Sequence, residues 1–97
     1  MKLSSFKNSE LLGLEFQYEV IKILNESLKE QKIKKKIREE ICGDFSFNFS
    51  MLLDQGKIKD TIPLVVFKKG NKLLMNDGSF DYYESSYGNV DEVLSAK

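Results

Sequence analysis

The chain has 97 residues, of which 41% are hydrophobic and 31% charged, and its acidic and basic side chains balance to a net charge of zero. This length and composition predict a single globular domain, residues 1–97, and exclude a disordered chain. With no histidine and one cysteine, the composition also excludes a disulfide framework, the common zinc sites and any histidine-based catalytic triad. The cysteine, Cys42, is assigned to the core as a small apolar side chain.

The first residues, MKLSSFKNSELLGLEF, have neither a continuous apolar stretch nor a small-residue cleavage site. We therefore expect no signal peptide. No apolar run in the sequence approaches the ~18 residues of a membrane-spanning helix. Because a lone cysteine is typical of a reducing compartment, we expect a cytoplasmic protein that does not associate with a membrane.

An amphipathic helix is predicted over residues 10–30. Apolar side chains recur there at steps of four, which places them on one face of a helix. They are Leu12, Phe16, Val20, Leu24 and Leu28. Ser9 precedes them as a candidate N-cap.

A second ladder with the same step predicts a helix over residues 33–54. The side chains that we expect to lie inside are Ile37, Ile41, Phe45 and Phe49. In DFSFNFS the phenylalanines also alternate, so a strand over residues 45–49 is the alternative. We favour the helix because the ladder continues to Leu52 and because Gly56 follows as a helix stop. If Phe45 is fully buried, its replacement by alanine should cost roughly 3–5 kcal/mol.

Beyond Gly56 the sequence predicts short β-strands. IPLVVF, residues 62–67, is rich in β-branched and aromatic side chains, and KLLM, residues 72–75, follows a turn at Gly70–Asn71. FDYY, residues 80–83, is the candidate third strand. The predicted fold class is therefore α+β, with two N-terminal helices packed on a small antiparallel β-meander.

A basic segment joins the two predicted helices. KEQKIKKKIR, residues 29–38, has six basic side chains and one acid. Nucleic-acid sites usually present a basic face without competing acids, whereas Glu30, Glu39 and Glu40 interrupt or flank this one. We interpret the segment as a solvated helix start. We expect no nucleic-acid partner, and no binding tighter than the nonspecific range of about 10⁻⁴ M.

The sequence has no evident catalytic or metal-binding pattern. Asp77, Ser79 and Asp81 have the spacing of calcium-loop ligands, but Tyr82 and Gly88 stand where the loop needs a glycine and a glutamate. The chain also has no glycine-rich phosphate loop and no nucleophile signature. We therefore expect a protein that is not an enzyme and that needs no cofactor and no metal.

The least ordinary stretch is GSFDYYESSYGNVDE, residues 78–92, which combines acids with tyrosines and has no lysine or arginine. Tyrosine offers a large contact area at low entropic cost, and surrounding acids attract a basic partner. We expect Asp81, Tyr83 and Glu84 to be exposed, with Tyr83 as the main anchor, and Phe80 and Tyr82 to be tied to the core. The candidate partner-binding residues are Asp81, Tyr83, Glu84, Tyr87, Asp91 and Glu92.

Two features of this stretch stay open. Gly88–Asn89 is expected to break the chain, so that VDEVL, residues 90–94, is either a short helical turn or a loose end. In the alternative interpretation of the stretch, Tyr82 and Tyr87 complete the core, and the acids only keep the surface soluble.

The segment FDYYESSYGNVDE resembles the acidic, tyrosine-rich surfaces of small bacterial immunity proteins, which neutralise toxins of interbacterial competition. Members are compact, cytosolic, non-catalytic and often α+β. Some nuclease inhibitors among them cover a basic active site with Asp, Glu and Tyr side chains. The best-known members with a tyrosine pair are all-helical and have a proline after the pair, where this chain has Glu84. The resemblance implies an inhibitor that occludes a basic toxin.

The expected function is thus a small non-catalytic protein that binds and occludes a basic protein partner. A structural homo-oligomer is the alternative, because Phe45, Phe47 and Phe49 give the helix pair more aromatic surface than its own core needs. A nucleic-acid-associated regulator that uses the basic segment is a weaker third interpretation.

Overall fold

The described residues form three helices and three short strands. In the computed structural model these are β1 (Lys2–Ser5), α1 (Lys7–Glu30), α2 (Lys35–Gln55), β2 (Val66–Lys69), β3 (Lys72–Met75) and α3 (Tyr82–Ser95). The structure describes residues 2–5, 7–56, 58–61, 63–75 and 81–96, with side chains from Leu11 onward.

The sheet has the strand order β1–β3–β2. β2 and β3 form the predicted antiparallel hairpin, in which Phe67 pairs with Leu74, and β1 lies parallel to β3 on its other side. Gly70 turns the hairpin with a φ of 60°, a conformation that glycine adopts without strain. The predicted α+β class, with helices followed by a small antiparallel hairpin, is confirmed.

The first strand of the hairpin starts later than predicted. We predicted residues 62–67, whereas β2 spans Val66–Lys69. Val66 pairs with Met75, the last residue of β3, and the described segment before it, residues 63–65, is not part of a strand. Pro63, which lies in that segment, also lacks the backbone N–H that a paired strand donates.

The predicted third strand over residues 80–83 is wrong. Tyr82 and Tyr83 lie in the first turn of α3, and α3 continues through Gly88–Asn89, where we predicted a break. Phe80, which we assigned to the core, lies outside the described residues. The third strand of the sheet is β1, whose four residues, KLSS, are too few to show a period of two.

Both long helices are confirmed, and residues 45–49 are helical. The buried face of α2 is, however, not the one that we predicted. Ile37, Ile41 and Phe45 are 43%, 36% and 37% exposed, and Phe49 is half-buried. The side chains of α2 that are buried instead are Cys42, Ser46 and Ser50.

The reason for this difference is α3, a helix that the sequence analysis did not predict at full length. Cys42 packs in one cluster with Val90, Val93 and Leu94 of α3 and with Ile21 of α1. Small side chains on α2 let a third helix approach closely, because the distance between helix axes depends on the side chains at the contact. The assignment of Cys42 to the core is confirmed, whereas the cost of replacing Phe45 should fall below the roughly 3–5 kcal/mol of a fully buried phenylalanine.

Gln17, a buried polar residue of α1, joins all three helices. Its Nε2 donates to Ser50 Oγ at 2.9 Å and to the backbone carbonyl of Tyr82 at 2.7 Å. Its Oε1 accepts from Ser85 Oγ at 2.8 Å and from Asn89 Nδ2 at 2.6 Å. The amide thus uses both of its donors and both lone pairs of its acceptor, so this buried polar group is fully satisfied.

We expect Gln17→Leu to lower the free energy of unfolding by roughly 2–4 kcal/mol, because several buried polar atoms lose a partner at once and each costs ~1–3 kcal/mol. Urea denaturation followed by circular dichroism measures this loss. Gln55→Leu, at an exposed position near the end of α2, is the matched control and should stay within about 0.5 kcal/mol of the parent. Equal losses in the two variants would contradict the role of Gln17.

Candidate functional site

The start of α3 is held by a carboxylate from the end of α2. Asp54 Oδ1 accepts a hydrogen bond from the backbone N–H of Tyr82 at 2.9 Å, and Asp54 Oδ2 accepts one from Tyr83 at 2.8 Å. Asp81 occupies the N-cap position, but within the described structure its own side chain makes no capping bond. A carboxylate at this end satisfies free N–H groups and is favoured by the helix dipole. Asp54 therefore fixes where α3 begins and how it is rotated.

The helical spacing divides the tyrosine-rich stretch into an inner and an outer face. Tyr82 is buried, which confirms its assignment to the core. Glu84 is exposed and Tyr83 is half-buried, so the exposure that we predicted for both holds fully only for Glu84. Asp81 is also half-buried rather than exposed. Neighbouring side chains on a helix point about 100° apart, whereas on a strand they point to opposite faces. Tyr83 therefore lies closer to the buried side of α3 than it would on the predicted strand.

Four of the six candidate residues lie together on the outer face of α3. Tyr87 and Asp91 follow Tyr83 at steps of four, and Glu84 lies beside them, which is the spacing of one helix face. We call this set the acidic tyrosine surface: Tyr83, Glu84, Tyr87 and Asp91. Glu92 lies further around the helix, on a groove of about 520 Å³ between α1 and α3.

Tyr87 is both exposed and supported from beneath. Its side chain is 60% exposed, and its ring stacks on Phe47 of α2, with ring centroids 6.2 Å apart and planes 26° apart. A Cβ atom built on Gly43 would lie 4.0 Å from Tyr87 Cε1, so the ring also lies against Gly43. No pattern in the sequence connects Phe47 or Gly43 with this surface, although residues 45–49 carry an excess of phenylalanine.

The surface carries a negative electrostatic field. The carboxylate of Glu84, and after it that of Asp81, raises the pKa of Tyr83 above its usual value, because a phenolate there would be repelled. No lysine or arginine occurs within Tyr82–Ser95. A groove of about 330 Å³ beside Tyr87 is lined by two acids, Asp91 and Glu39, and by one base, Lys35 of α2. The surface therefore favours a cationic side chain over an anion.

The one thiol of the chain, Cys42, is buried. Burial raises the pKa of the Cys42 thiol, which lowers its fraction of reactive thiolate. Among the described residues, no group of three or more His, Cys, Asp or Glu side chains is placed to hold a metal ion. Another groove, of about 640 Å³, lies between the start of α1 and the β2–β3 hairpin and is lined by Leu11, Leu12 and Leu74. It is separate from the acidic tyrosine surface.

Of the helices that the structure describes, none combines the length and the apolar composition that a bilayer crossing requires.

Comparison with models of protein families, with curated proteins and with solved structures gives no match to this chain. The assignment of a function therefore depends on the geometry of the surface itself.

We expect Asp54→Ala to lower the free energy of unfolding by about 1–2 kcal/mol, because α3 loses the carboxylate that accepts two of its first N–H groups. Asp44→Ala removes an exposed carboxylate from the middle of α2 and should change stability by less than about 0.5 kcal/mol. Urea denaturation of the two variants beside the parent makes the comparison. A loss for Asp54→Ala no larger than that of the control would show that the cap does not hold α3.

We expect Glu84→Gln to lower the pKa of Tyr83 towards its ordinary value, because the first cause of its elevation is removed. An ultraviolet titration of each protein, with its Tyr83→Phe counterpart subtracted, isolates this phenol from the other three tyrosines. Glu92→Gln is the control and should leave the titration unchanged.

In the unfolded chain Tyr83 deprotonates near its ordinary pKa of ~10, below its folded value, so its contribution to stability is lost as the pH rises above ~10.

Proposed function

We propose that this chain is a small non-catalytic binding protein that occludes a basic protein partner with the acidic tyrosine surface of α3. The observation that supports this most is Tyr87, a large side chain that is mostly exposed yet stacked on Phe47. An exposed aromatic ring that is already held in place loses little conformational freedom when it is covered. Such rings are typical anchors of protein interfaces.

The charge of the surface favours a basic partner. Glu84 and Asp91 flank Tyr87 on the same helix face, and Tyr83 lies one turn before it. Acids around an aromatic anchor steer a basic surface towards it and raise the association rate, while they repel nucleic acid and other polyanions. This charge pattern supports a partner with a basic patch, such as the active site of an enzyme that binds a polyanion.

The rigidity of the surface supports inhibition by occlusion. α3 is anchored at its start by Asp54 and along its inner face by Gln17, so its outer face is held in one orientation. An inhibitor that blocks a site needs this preorganisation more than it needs reactive groups. Together with the resemblance of FDYYESSYGNVDE to immunity proteins, this supports an immunity protein that neutralises a toxin in the cytoplasm.

The structure also favours a different anchor from the one expected from the sequence. We expected Tyr83 to contribute most, but Tyr83 is half-buried, whereas Tyr87 is exposed and supported by α2. We therefore propose Tyr87 as the central anchor, with Tyr83 beside it. Asp81 and Glu92 are proposed to act at the rim, where they affect the association rate more than the affinity.

Tyr87→Ala should weaken binding of the partner by about 2 kcal/mol or more, as an anchor does, while it changes the free energy of unfolding by less than about 1 kcal/mol. The partner is first captured from the native cell with the tagged parent as bait, and with Tyr87→Ala and Tyr83→Ala as competing baits. Quantitative mass spectrometry identifies a basic protein that the parent retains and the variants lose. Calorimetry with that purified protein then measures the difference in affinity.

Glu26→Ala, which removes an exposed carboxylate from α1, is the control and should bind like the parent. If a toxin gene adjoins this gene, the parent should rescue cells that express the toxin, and Tyr87→Ala should rescue them poorly. The proposal fails if Tyr87→Ala and Tyr83→Ala retain the same proteins with the same affinity as the parent, or if their loss of binding is matched by a loss of folding.

A further inference from the structure

A second surface of the molecule is apolar and lies on a different side of α2. Its members recur at steps of three and four along the helix, about 100° around from the buried stripe of small residues. We call this set the α2 ridge: Ile37, Ile41, Phe45, Phe49 and Leu52. All except the half-buried Phe49 are more than a third exposed. A contiguous stripe of large apolar side chains at the surface is a candidate site of protein–protein contact.

The helix α1 runs antiparallel to α2, since Arg38 Nε donates to Asn25 Oδ1 at 2.9 Å and the rings of Phe16 and Phe49 lie 6.5 Å apart. This pairing puts Ile23 of α1 at the level of Ile41. Ile23 is a further large apolar side chain that is exposed, to 65%.

The residues of the ridge are spaced nearly symmetrically about Phe45, so the ridge can pack against an antiparallel second copy of itself. Phe45 is at its centre, Ile41 and Phe49 are one step away on either side, and Ile37 and Leu52 are at the ends. When two such helices run in opposite directions about Phe45, each isoleucine meets a phenylalanine or a leucine of the other copy. A two-fold symmetric interface requires this kind of self-complementary surface.

The charges at the ends of α2 favour the same arrangement. Lys34, three residues before Ile37 and therefore on the side of the ridge, is exposed at the start of the helix. The helix dipole disfavours a cation there, and the first turn contains no acid. The last turn of α2 contains no base that would offset the dipole at that end. An antiparallel second copy places Lys34 beside the carbonyl end of its partner's helix, where a cation is favoured, whereas Lys35 faces the groove at Tyr87.

We propose that the chain forms a symmetric homodimer in which the α2 ridges of two copies pack antiparallel about Phe45. A contact of one helix per copy is at the small end of specific interfaces, so the dimer should dissociate in the micromolar range. Phe47 and Tyr87 lie on another side of α2, so the dimer leaves both acidic tyrosine surfaces free. This proposal does not depend on the function proposed above.

Sedimentation velocity over a concentration series tests the association. The parent should shift from monomer to dimer between submicromolar and several hundred micromolar protein. Phe45→Glu should stay monomeric throughout, because it brings two carboxylates together at the centre of the interface, and its circular dichroism should match that of the dilute parent. Leu64→Glu, at another exposed apolar position outside the ridge, should dimerise like the parent. A parent that stays monomeric, or a folded Phe45→Glu that dimerises equally well, overturns the proposal.

Reversal of the charge of Lys34 separates the effect on the dimer from the effect on the helix. Lys34→Glu should weaken dimerisation at least tenfold, because an acid then faces the partner's carbonyl end in both halves of the dimer. In the Phe45→Glu background the same change should leave the melting temperature unchanged or raise it, because an acid suits the start of its own helix. Lys22→Glu, on the exposed side of α1, should leave dimerisation unchanged. Unchanged dimerisation in the Lys34→Glu protein contradicts the antiparallel arrangement.

Disulfide cross-linking tests the direction of the helices even if Phe45→Glu fails to fold. Phe45→Cys should form a dimer under mild oxidation, since the two positions face each other. Ile37→Cys alone should not, because its two copies lie about 24 Å apart along the helices at ~1.5 Å per residue. A mixture of Ile37→Cys with Leu52→Cys should cross-link. Efficient cross-linking of Ile37→Cys with itself would show a parallel pairing and reject the proposed interface.

Discussion

The structure depends on one buried amide. Gln17 connects α1 to Ser50 of α2 and to Ser85 and Asn89 of α3 through hydrogen bonds of 2.6–2.9 Å. A small domain has little apolar surface to bury, so apolar packing alone defines the relative rotation of three helices poorly. A fully satisfied polar group adds direction, because its bonds form at one arrangement of the helices and are lost at others. Gln17 thus determines which face of α3 points inward and which face reaches solvent.

The small residues of α2 complete this arrangement and explain the two surfaces that it leaves exposed. Because Cys42, Ser46 and Ser50 occupy the buried stripe, α3 lies close to α2, and the large side chains of α2 are displaced to its flanks. One flank carries Phe47, which supports Tyr87. The other carries the ridge around Phe45, whose ring stacks on Phe49 with centroids 5.5 Å apart. The small side chains of the buried stripe therefore have two consequences: an aromatic support for Tyr87 on one flank of α2 and an exposed apolar strip on the other.

The sequence predicted elements better than it predicted faces. The four-residue ladders over 10–30 and 33–54 were sufficient for both long helices, because a period sustained over several turns has few alternatives. The same ladder predicted the wrong buried face of α2. Periodicity shows that a helix is amphipathic, but it does not show which face packs against a neighbouring helix. In the structure α3 packs on Cys42 rather than on Phe45. The start of α3 was missed, although Asp81 at the N-cap position and Glu84 three residues later have the spacing of a capping box. The side chain that caps α3 in the structure is instead Asp54, 28 positions before Tyr82, and no local pattern shows such a partner. The composition of the acidic tyrosine surface was evident from the sequence, but the support of Tyr87 by Phe47 required the fold.

The bonds of Gln17 also connect distant parts of the chain: its partner Asn89 is 72 positions away. α1 and α2 can meet through a short connection, whereas α3 reaches its place only after a long loop closes, a step that slows folding. Docking of α3 and formation of the acidic tyrosine surface are therefore one event. A ligand that binds only the docked helix shifts that equilibrium by mass action and stabilises the core beneath it. If α3 binds the partner as proposed, recognition at the surface and cohesion in the interior are linked, and partial detachment of α3 would abolish binding while most of the chain is still folded.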